Sequence, residues 1–249
     1  MTIPAGQAEQ AEQAVLAALA ALAPLSVVIP VRDEAARLPL LLADLAAAPA
    51  ELIREIWVVD GGSRDGSQAL ARLAGARLLR AAGGRGAQLQ CGILASEGSW
   101  LLLLHADARL PLGWPLLLHR AMAAAPGGAW AFPLAIEAAG PGLRLVALLT
   151  NLRSRLAGLP YGDQGLLLSR CLYERCGGIE PLPLMEDLSL VLRLRRLTWP
   201  RLLPQPLRVD GRRWHRLGVL RTAWTNARLR RAWRRGVAAA ELAARYYAP

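Results

Sequence analysis

Ser99-Trp100-Leu101-Leu102-Leu103-Leu104-His105-Ala106-Asp107 decides how the rest of the chain is read. A short, fully apolar run opens after Gly98-Ser99 and stops abruptly at an imidazole and a carboxylate. Such a run reads as a buried strand of a parallel sheet, covered on both faces. Ligands of open parallel sheets sit beyond the carboxyl ends of the strands. His105 and Asp107 are therefore expected where a nucleotide or a metal would lie.

The sequence upstream repeats the pattern. Residues 25–30 read as a first buried strand, ending in Val31-Arg32-Asp33-Glu34, and a helix follows over 35–47. Ile56-Trp57-Val58-Val59-Asp60 is a second strand, closed by Gly61-Gly62-Ser63, and 65–74 is helical. Residues 77–79 form a short strand. Gly83-Gly84-Arg85-Gly86 then opens a helix with Ala87, Cys91, Leu94 and Ala95 at helical spacing. Strand alternating with helix predicts an α/β, doubly wound, mostly parallel sheet with right-handed crossovers. Three strands end in polar groups on one sheet edge: Asp33/Glu34, Asp60 and His105/Asp107.

Downstream the expected elements are a helix over 112–125, a strand over 129–136 and an apolar helix over 143–156 carrying Arg144, Arg153 and Arg155. A strand at 166–168 and a helix opened by Leu184-Met185-Glu186-Asp187 come next, then an Arg-rich stretch that is helical after 216. Residues 8–22 read as an Ala-rich helical arm. The domain boundaries are drawn at 1–24 (helical extension), 25–215 (the sheet domain) and 216–249 (basic helical tail).

With 249 residues, 54% of them hydrophobic, the chain has ample material for a core. All of its basic residues are Arg, and the net charge of +11 is uneven. From Arg193 onward 15 Arg stand against Asp210 and Glu241, a balance of +13, while the first 192 residues total −2. Such a tail suits an anionic partner: nucleic acid, a membrane surface or a phosphorylated ligand. Cys91, Cys171 and Cys176 have no zinc-ligand spacing and read as reduced thiols of a cytoplasmic protein. Glu9 and Glu12, without a basic n-region, argue against a signal peptide. Pro24 and Pro30 break the uncharged run 14–31, which argues against a spanning helix.

Four clusters carry candidate chemistry. Asp60, followed by two glycines, can accept hydrogen bonds from a base or ribose; the alternative is a helix-capping acid, a role that suits Asp65 better. Gly83-Gly84-Arg85-Gly86 can approach phosphates or serve as a plain turn. It fits neither the dinucleotide fingerprint nor the Walker A loop. His105-x-Asp107 offers an imidazole and a carboxylate to Mg2+ or Mn2+, with diphosphate oxygens completing the shell; otherwise His105 is a satisfied, partly buried histidine. Glu186-Asp187 supply a general base, or simply charge-stabilise a helix start.

Taken together, these segments resemble the family 2 glycosyltransferases of GT-A fold. The likeness spans roughly residues 25–214. Within the family the chain looks most like the subgroup named for arsenosugar biosynthesis, also described as a radical-SAM/selenodomain-associated transferase. The residues that carry it are Val28-Ile29-Pro30-Val31-Arg32-Asp33-Glu34, Val58-Val59-Asp60-Gly61-Gly62-Ser63-Arg64-Asp65-Gly66, Gly84-Arg85-Gly86-Ala87-Gln88, Leu104-His105-Ala106-Asp107, Pro160-Tyr161-Gly162-Asp163-Gln164-Gly165 and Met185-Glu186-Asp187. The family's Asp-x-Asp is here His105-Ala106-Asp107, and its Gln-x-x-Arg-Trp is reduced to Asp210-Gly211-Arg212-Arg213-Trp214.

The resemblance implies an enzyme that moves a sugar from a nucleotide-diphosphate donor to a small or lipid-linked hydroxyl, inverting the anomeric carbon. It implies Asp187, beside Glu186, as catalytic base. It puts Pro30, Arg32, Glu34, Asp60, Gly62, Arg85, Asp107, Asp163, Gln164, Arg213 and Trp214 around the nucleotide sugar. It makes Asp107 and His105 the metal ligands, with Mg2+ or Mn2+ as cofactor. Two other readings stay open. Nucleotidyl transfer to a sugar phosphate would want a Gly-rich loop after the first strand, where Val31-Arg32-Asp33-Glu34 stands instead. A non-enzymatic nucleic-acid or membrane-surface protein would work through the basic tail and its Trp214, Trp224, Trp233, Tyr246 and Tyr247. Of these, no nucleic-acid partner is expected; the tail is read as an Arg-rich solvated helix packing its aromatics on the body, adding at most peripheral membrane contact.

Overall fold

The computed structural model describes residues 25–137 and 140–247, the side chains of Arg213 and Tyr247 excepted. The helical arm expected over 8–22, and with it the 1–24 extension, lies outside the described residues. Strands and helices alternate as β1 (Leu25–Val31), α1 (Leu38–Ala46), β2 (Ile53–Asp60), α2 (Ser67–Leu73), β3 (Arg77–Arg80), α3 (Arg85–Ala95) and β4 (Trp100–Leu103). β1 pairs in parallel with β2 and β4, and β2 in parallel with β3. The carboxyl ends of these strands therefore share one edge.

β5 (Ala108–Arg109), α4 (Trp114–Ala124), β6 (Ala129–Ala131), β7 (Leu134–Glu137), α5 (Pro141–Ala157) and β8 (Leu166–Ser169) follow. Next come α6 (Arg170–Arg175), α7 (Glu186–Leu194), β9 (Arg201–Leu202), β10 (Leu207–Asp210), α8 (Arg212–Leu217), α9 (Val219–Arg234) and α10 (Ala239–Tyr247). The main sheet has the order β3-β2-β1-β4-β8-β6-β9, with β8 antiparallel to both β4 and β6. A small second sheet has the order β5-β10-β7.

Burial explains the apolar runs. All seven residues of β1 and all four of β4 are buried. Their side chains alternate: Leu25, Val27, Ile29 and Leu102 join the cluster under α1 and α4, while Val28, Leu101 and Leu103 join the one under α3 and α7. Pro30 costs no ladder bond to β4, because that pairing ends at Val28↔Leu103.

The single strand expected over 129–136 is instead two. Phe132-Pro133 separates β6, in the main sheet, from β7, in the small one; proline cannot donate to a ladder, so the chain changes sheets there. The small sheet matters for the site, because Val209↔Ala108 pairing brings Asp210 beside Asp107. The basic tail packs on the body: Leu229, Leu242 and Ala243 form one buried cluster with Leu184, Met185 and Leu188, and Trp233 and Tyr246 pack against it. No helix among the described residues is long and apolar enough to cross a membrane.

Candidate functional site

The polar groups beyond β1, β2 and β4 separate into two clusters. The first lies around Asp107. Arg212 pairs with Glu34 and reaches toward Asp210, whose Oδ1 accepts the Arg212 N–H at 2.8 Å. Arg37 pairs with Asp210 at 2.7 Å. Burial, and then the Glu34 carboxylate, push the Asp107 carboxyl up to about 6.

All the donors here are carboxylate oxygens, the ligand type hard divalent cations take. Glu34 Oε2 is buried with no hydrogen-bond partner, and the excess negative charge around Asp107 is what a cation would relieve. The residues fit a cation held by Asp107 with diphosphate oxygens and water. Among the described residues, no group of three or more His, Cys, Asp or Glu is disposed to hold an ion alone.

His105 does not share that shell. Ala108 N–H donates to His105 C=O at 3.2 Å, closing a turn, so the two side chains two positions apart meet different neighbours. The charges that act on His105 are those of Arg85 and Asp187. Burial, and then the Arg85 guanidinium, push the imidazole down to about 3, so it stays neutral. The expected His105–Asp107 pair is thereby split, and His105 belongs to the second cluster.

That second cluster stands where the turn Gly162–Gln164 meets the start of α7. Glu186 and Asp187, neighbours in sequence, part company. Glu186 is 1% exposed and pairs with Arg85 at 3.2 Å. Asp187 is half-buried, and its Oδ2 accepts the Gly162 N–H at 2.8 Å while Oδ1 accepts the Leu188 N–H at 2.7 Å. A Cβ on Gly162 would lie 2.8 Å from His105 Nε2 and 3.3 Å from Asp187 Oδ2, so only glycine lets these groups approach. Asp163 is raised by burial, and its Oδ1 is buried without a partner. The guanidinium of Arg153 lies 3.7 Å above the Tyr161 ring and that of Arg230 lies 5.4 Å away. His105, Tyr161, Gly162, Glu186, Asp187 and Leu190 line a small cavity there.

Other candidates turn out to shape the walls. Asp60 is 1% exposed, and its carboxylate already accepts Gly62 N–H, Ser63 N–H and the Gln68 amide. Gln164 is fully buried: its Oε1 accepts from Ser154 and Arg153, and its Nε2 donates to Phe132 C=O. Gln164, expected on the donor, holds the Tyr161–Asp163 turn instead. The glycines around the start of α3 serve packing: a Cβ on Gly84 would lie 2.7 Å from Pro183 Cα, and one on Gly86 2.5 Å from the Glu180 and Leu182 carbonyls.

Pro30 is buried in β1, and Arg32 is exposed at its end. Gly62 has φ +94, a conformation glycine allows. Trp214 is half-buried in α8, and the side chain of Arg213 lies outside the described residues. Asp65 accepts from Ser67 N–H at the start of α2 and from Ala35 N–H across the chain.

Sequence reasoning missed Arg37, Arg212 and Arg230, because nothing local distinguishes one Arg of this chain from another. Among the described residues, the two non-glycine positions in left-handed backbone, Asp33 (φ 56) and Met185 (φ 70), immediately precede Glu34 and Glu186. Strain of this kind gathers at functional sites.

Comparison with known proteins bears on the fold and the family. Residues 26–149, just under half of the chain, match the family model described as glycosyl transferase family 2. A TPR repeat-containing protein of Synechococcus elongatus is 43% identical over 90 residues, 35% of this chain and 21% of that protein. An undecaprenyl-phosphate 4-deoxy-4-formamido-L-arabinose transferase of Aeromonas hydrophila is 37% identical over 97 residues, 35% of this chain and 30% of that protein. The chain thus spans a minor share of the curated relatives it matches.

Among solved structures, glucosyl-3-phosphoglycerate synthase from Mycobacterium tuberculosis, in complex with Mn2+, UDP and glucosyl-3-phosphoglycerate, superposes with TM-score 0.55 at 23% identity, covering 77% of this chain and 74% of that one. S. aureus TarS (1–349) superposes with TM-score 0.61 at 13% identity, over 76% and 60%. The fold is the GT-A type that the sequence resemblance implied.

Proposed function

We propose, on the premise of the family 2 glycosyltransferase match over residues 26–149, that this chain transfers a sugar from a nucleotide-diphosphate donor to a hydroxyl acceptor, inverting the anomeric carbon. The observation that carries the reading is the divergence of Glu186 and Asp187: one buried against Arg85, the other half-exposed at the cavity and oriented by two backbone N–H groups. A general base needs a carboxylate fixed at the reacting centre.

In this reading Asp187 takes the proton of the acceptor hydroxyl as its oxygen attacks C1. The C1–O bond to the diphosphate breaks on the opposite face, and the nucleoside diphosphate leaves with the electron pair. Glu186 holds Arg85 at the edge of the cavity. The Gly162 and Leu188 N–H groups fix the position of Asp187, beside neutral His105. Arg153 and Arg230, both against Tyr161, favour an acceptor bearing an anionic group. Arg37 and Arg212 offset part of the negative charge of the Asp107 cluster on the donor side. Mg2+ or Mn2+, held by Asp107, would stabilise charge on the departing diphosphate.

The Mn2+-bound structural neighbour supports that choice of cofactor. The likeness to the subgroup named for arsenosugar biosynthesis supports a small acceptor, and the relative that acts on undecaprenyl phosphate supports a lipid-linked one. A panel of nucleotide sugars, assayed for nucleoside diphosphate release with and without Mn2+, tests the reading. Release from one donor, dependent on metal, is expected; no binding or release across the panel would refute it.

A further inference from the structure

Helix α5 buries the wrong side for an ordinary surface helix. Its inward positions include Ser154, fully buried and bonded to Gln164, and Asn151, which accepts from Leu134 N–H and donates to Leu134 C=O. Of its six leucines only Leu143 is buried, and the other five point outward. Leu145 is 54% exposed, Leu148 62%, Leu149 55%, Leu152 46% and Leu156 72%. At about 3.6 residues per turn these five fall within a single stripe roughly 100° wide. Exposed Arg144 and Arg155 run along one flank of the stripe.

Helix α9 packs beside α5, where Gly142 meets Val219. It too turns apolar groups outward: Leu220 is 86% exposed and Trp224 60%. Exposed Arg221, Arg228 and Arg231 lie on the same side of α9 at helical spacing. The two helices carry three and five Arg, and neither has a carboxylate.

We propose that α5 and α9 together form a docking face for an anionic lipid surface. A helix that lies in a membrane interface combines an apolar stripe with Arg at its borders, and anionic headgroups attract such borders. Charge argues against a second copy of this chain as the occupant, because a two-fold contact through this face would set arginines against arginines. Five aliphatic side chains in line offer little to nucleic acid, which stacks on aromatic rings. The same two helices supply Arg153 and Arg230 to the Tyr161 side of the cavity. Docking would therefore bring the acceptor side of the site close to the headgroups. This inference stands on the surface alone and does not depend on sugar transfer.

Flotation of the full chain with phosphatidylcholine vesicles, with and without phosphatidylglycerol, tests it. Binding is expected only with phosphatidylglycerol, and it should weaken as salt is raised. The charge-neutral double variant Leu148→Gln, Leu152→Gln should lower vesicle partitioning by at least about tenfold. The pair Leu220→Gln, Trp224→Gln should do so independently, and both should leave the far-ultraviolet circular dichroism unchanged. Three results would overturn the proposal: no binding to phosphatidylglycerol vesicles, binding that both apolar variants leave intact, or a dimer in solution that the same substitutions split.

Discussion

Asp107→Asn should make the protein more stable near neutral pH while abolishing its use of the metal–diphosphate. Burial and the Glu34 carboxylate raise the native pKa of Asp107 from 3.8 to about 6. The native state therefore holds this proton more tightly than the unfolded chain does. Below pH 3.8 both states are protonated and the group has no effect. Between 3.8 and about 6 the unfolded chain ionises first, so stability falls as pH rises. Above about 6 the penalty is complete, amounting at most to about 3 kcal/mol at roughly 1.4 kcal/mol per pKa unit. For a chain of this size that corresponds to a rise in Tm of at most roughly 6–12 °C in the Asn variant.

Thermal melts of both proteins from about pH 4 to about pH 7.5 measure the effect, and the gap should open across the interval in which Asp107 ionises. Mn2+-dependent nucleoside diphosphate binding should disappear in the same variant. A variant less stable at neutral pH, or a gap independent of pH, would refute the reasoning. Either result would mean that Arg212 fully compensates the Asp107 charge.

Gly162→Ala would put a Cβ 2.8 Å from His105 Nε2 and 3.3 Å from Asp187 Oδ2. Displacing the base by a fraction of an ångström to an ångström should lower kcat about 100-fold, with donor Kd unchanged in a binding titration. Gln164→Ala removes the acceptor of Arg153 and Ser154 and the donor to Phe132 C=O. It should destabilise the protein by roughly 2–3 kcal/mol in urea unfolding, with little effect on donor affinity in the folded fraction.

The sheet was legible because buried parallel strands write themselves as apolar runs: β4 is unbroken, β1 is interrupted only by Ser26, and β2 carries Ile56-Trp57-Val58-Val59 before Asp60. Their polar exits located the cleft for the same reason. What the sequence did not disclose depended on direction. His105 and Asp107 would share a side on a continued strand, but the turn closed by Ala108 N–H separates them. Glu186 and Asp187 look equivalent in sequence; only the packing of α7 against Arg85 tells them apart. The glycines at 84 and 86 read as room for a phosphate, whereas the crowding they relieve comes from residues 180–183, nearly a hundred positions away. The break between β6 and β7 had a local signal, Pro133, but nothing local shows that the chain continues into a second sheet.

The most direct test of the account is a comparison of wild-type protein and Asp187→Asn by donor titration and single-turnover transfer. The account predicts that the variant binds the nucleotide sugar with wild-type affinity, because the role proposed for Asp187 is on the acceptor and not the donor. It also predicts that transfer slows by about 10²–10⁴-fold, the usual contribution of a positioned general base. Transfer at the wild-type rate would contradict the assignment of Asp187, and with it the proposed chemistry.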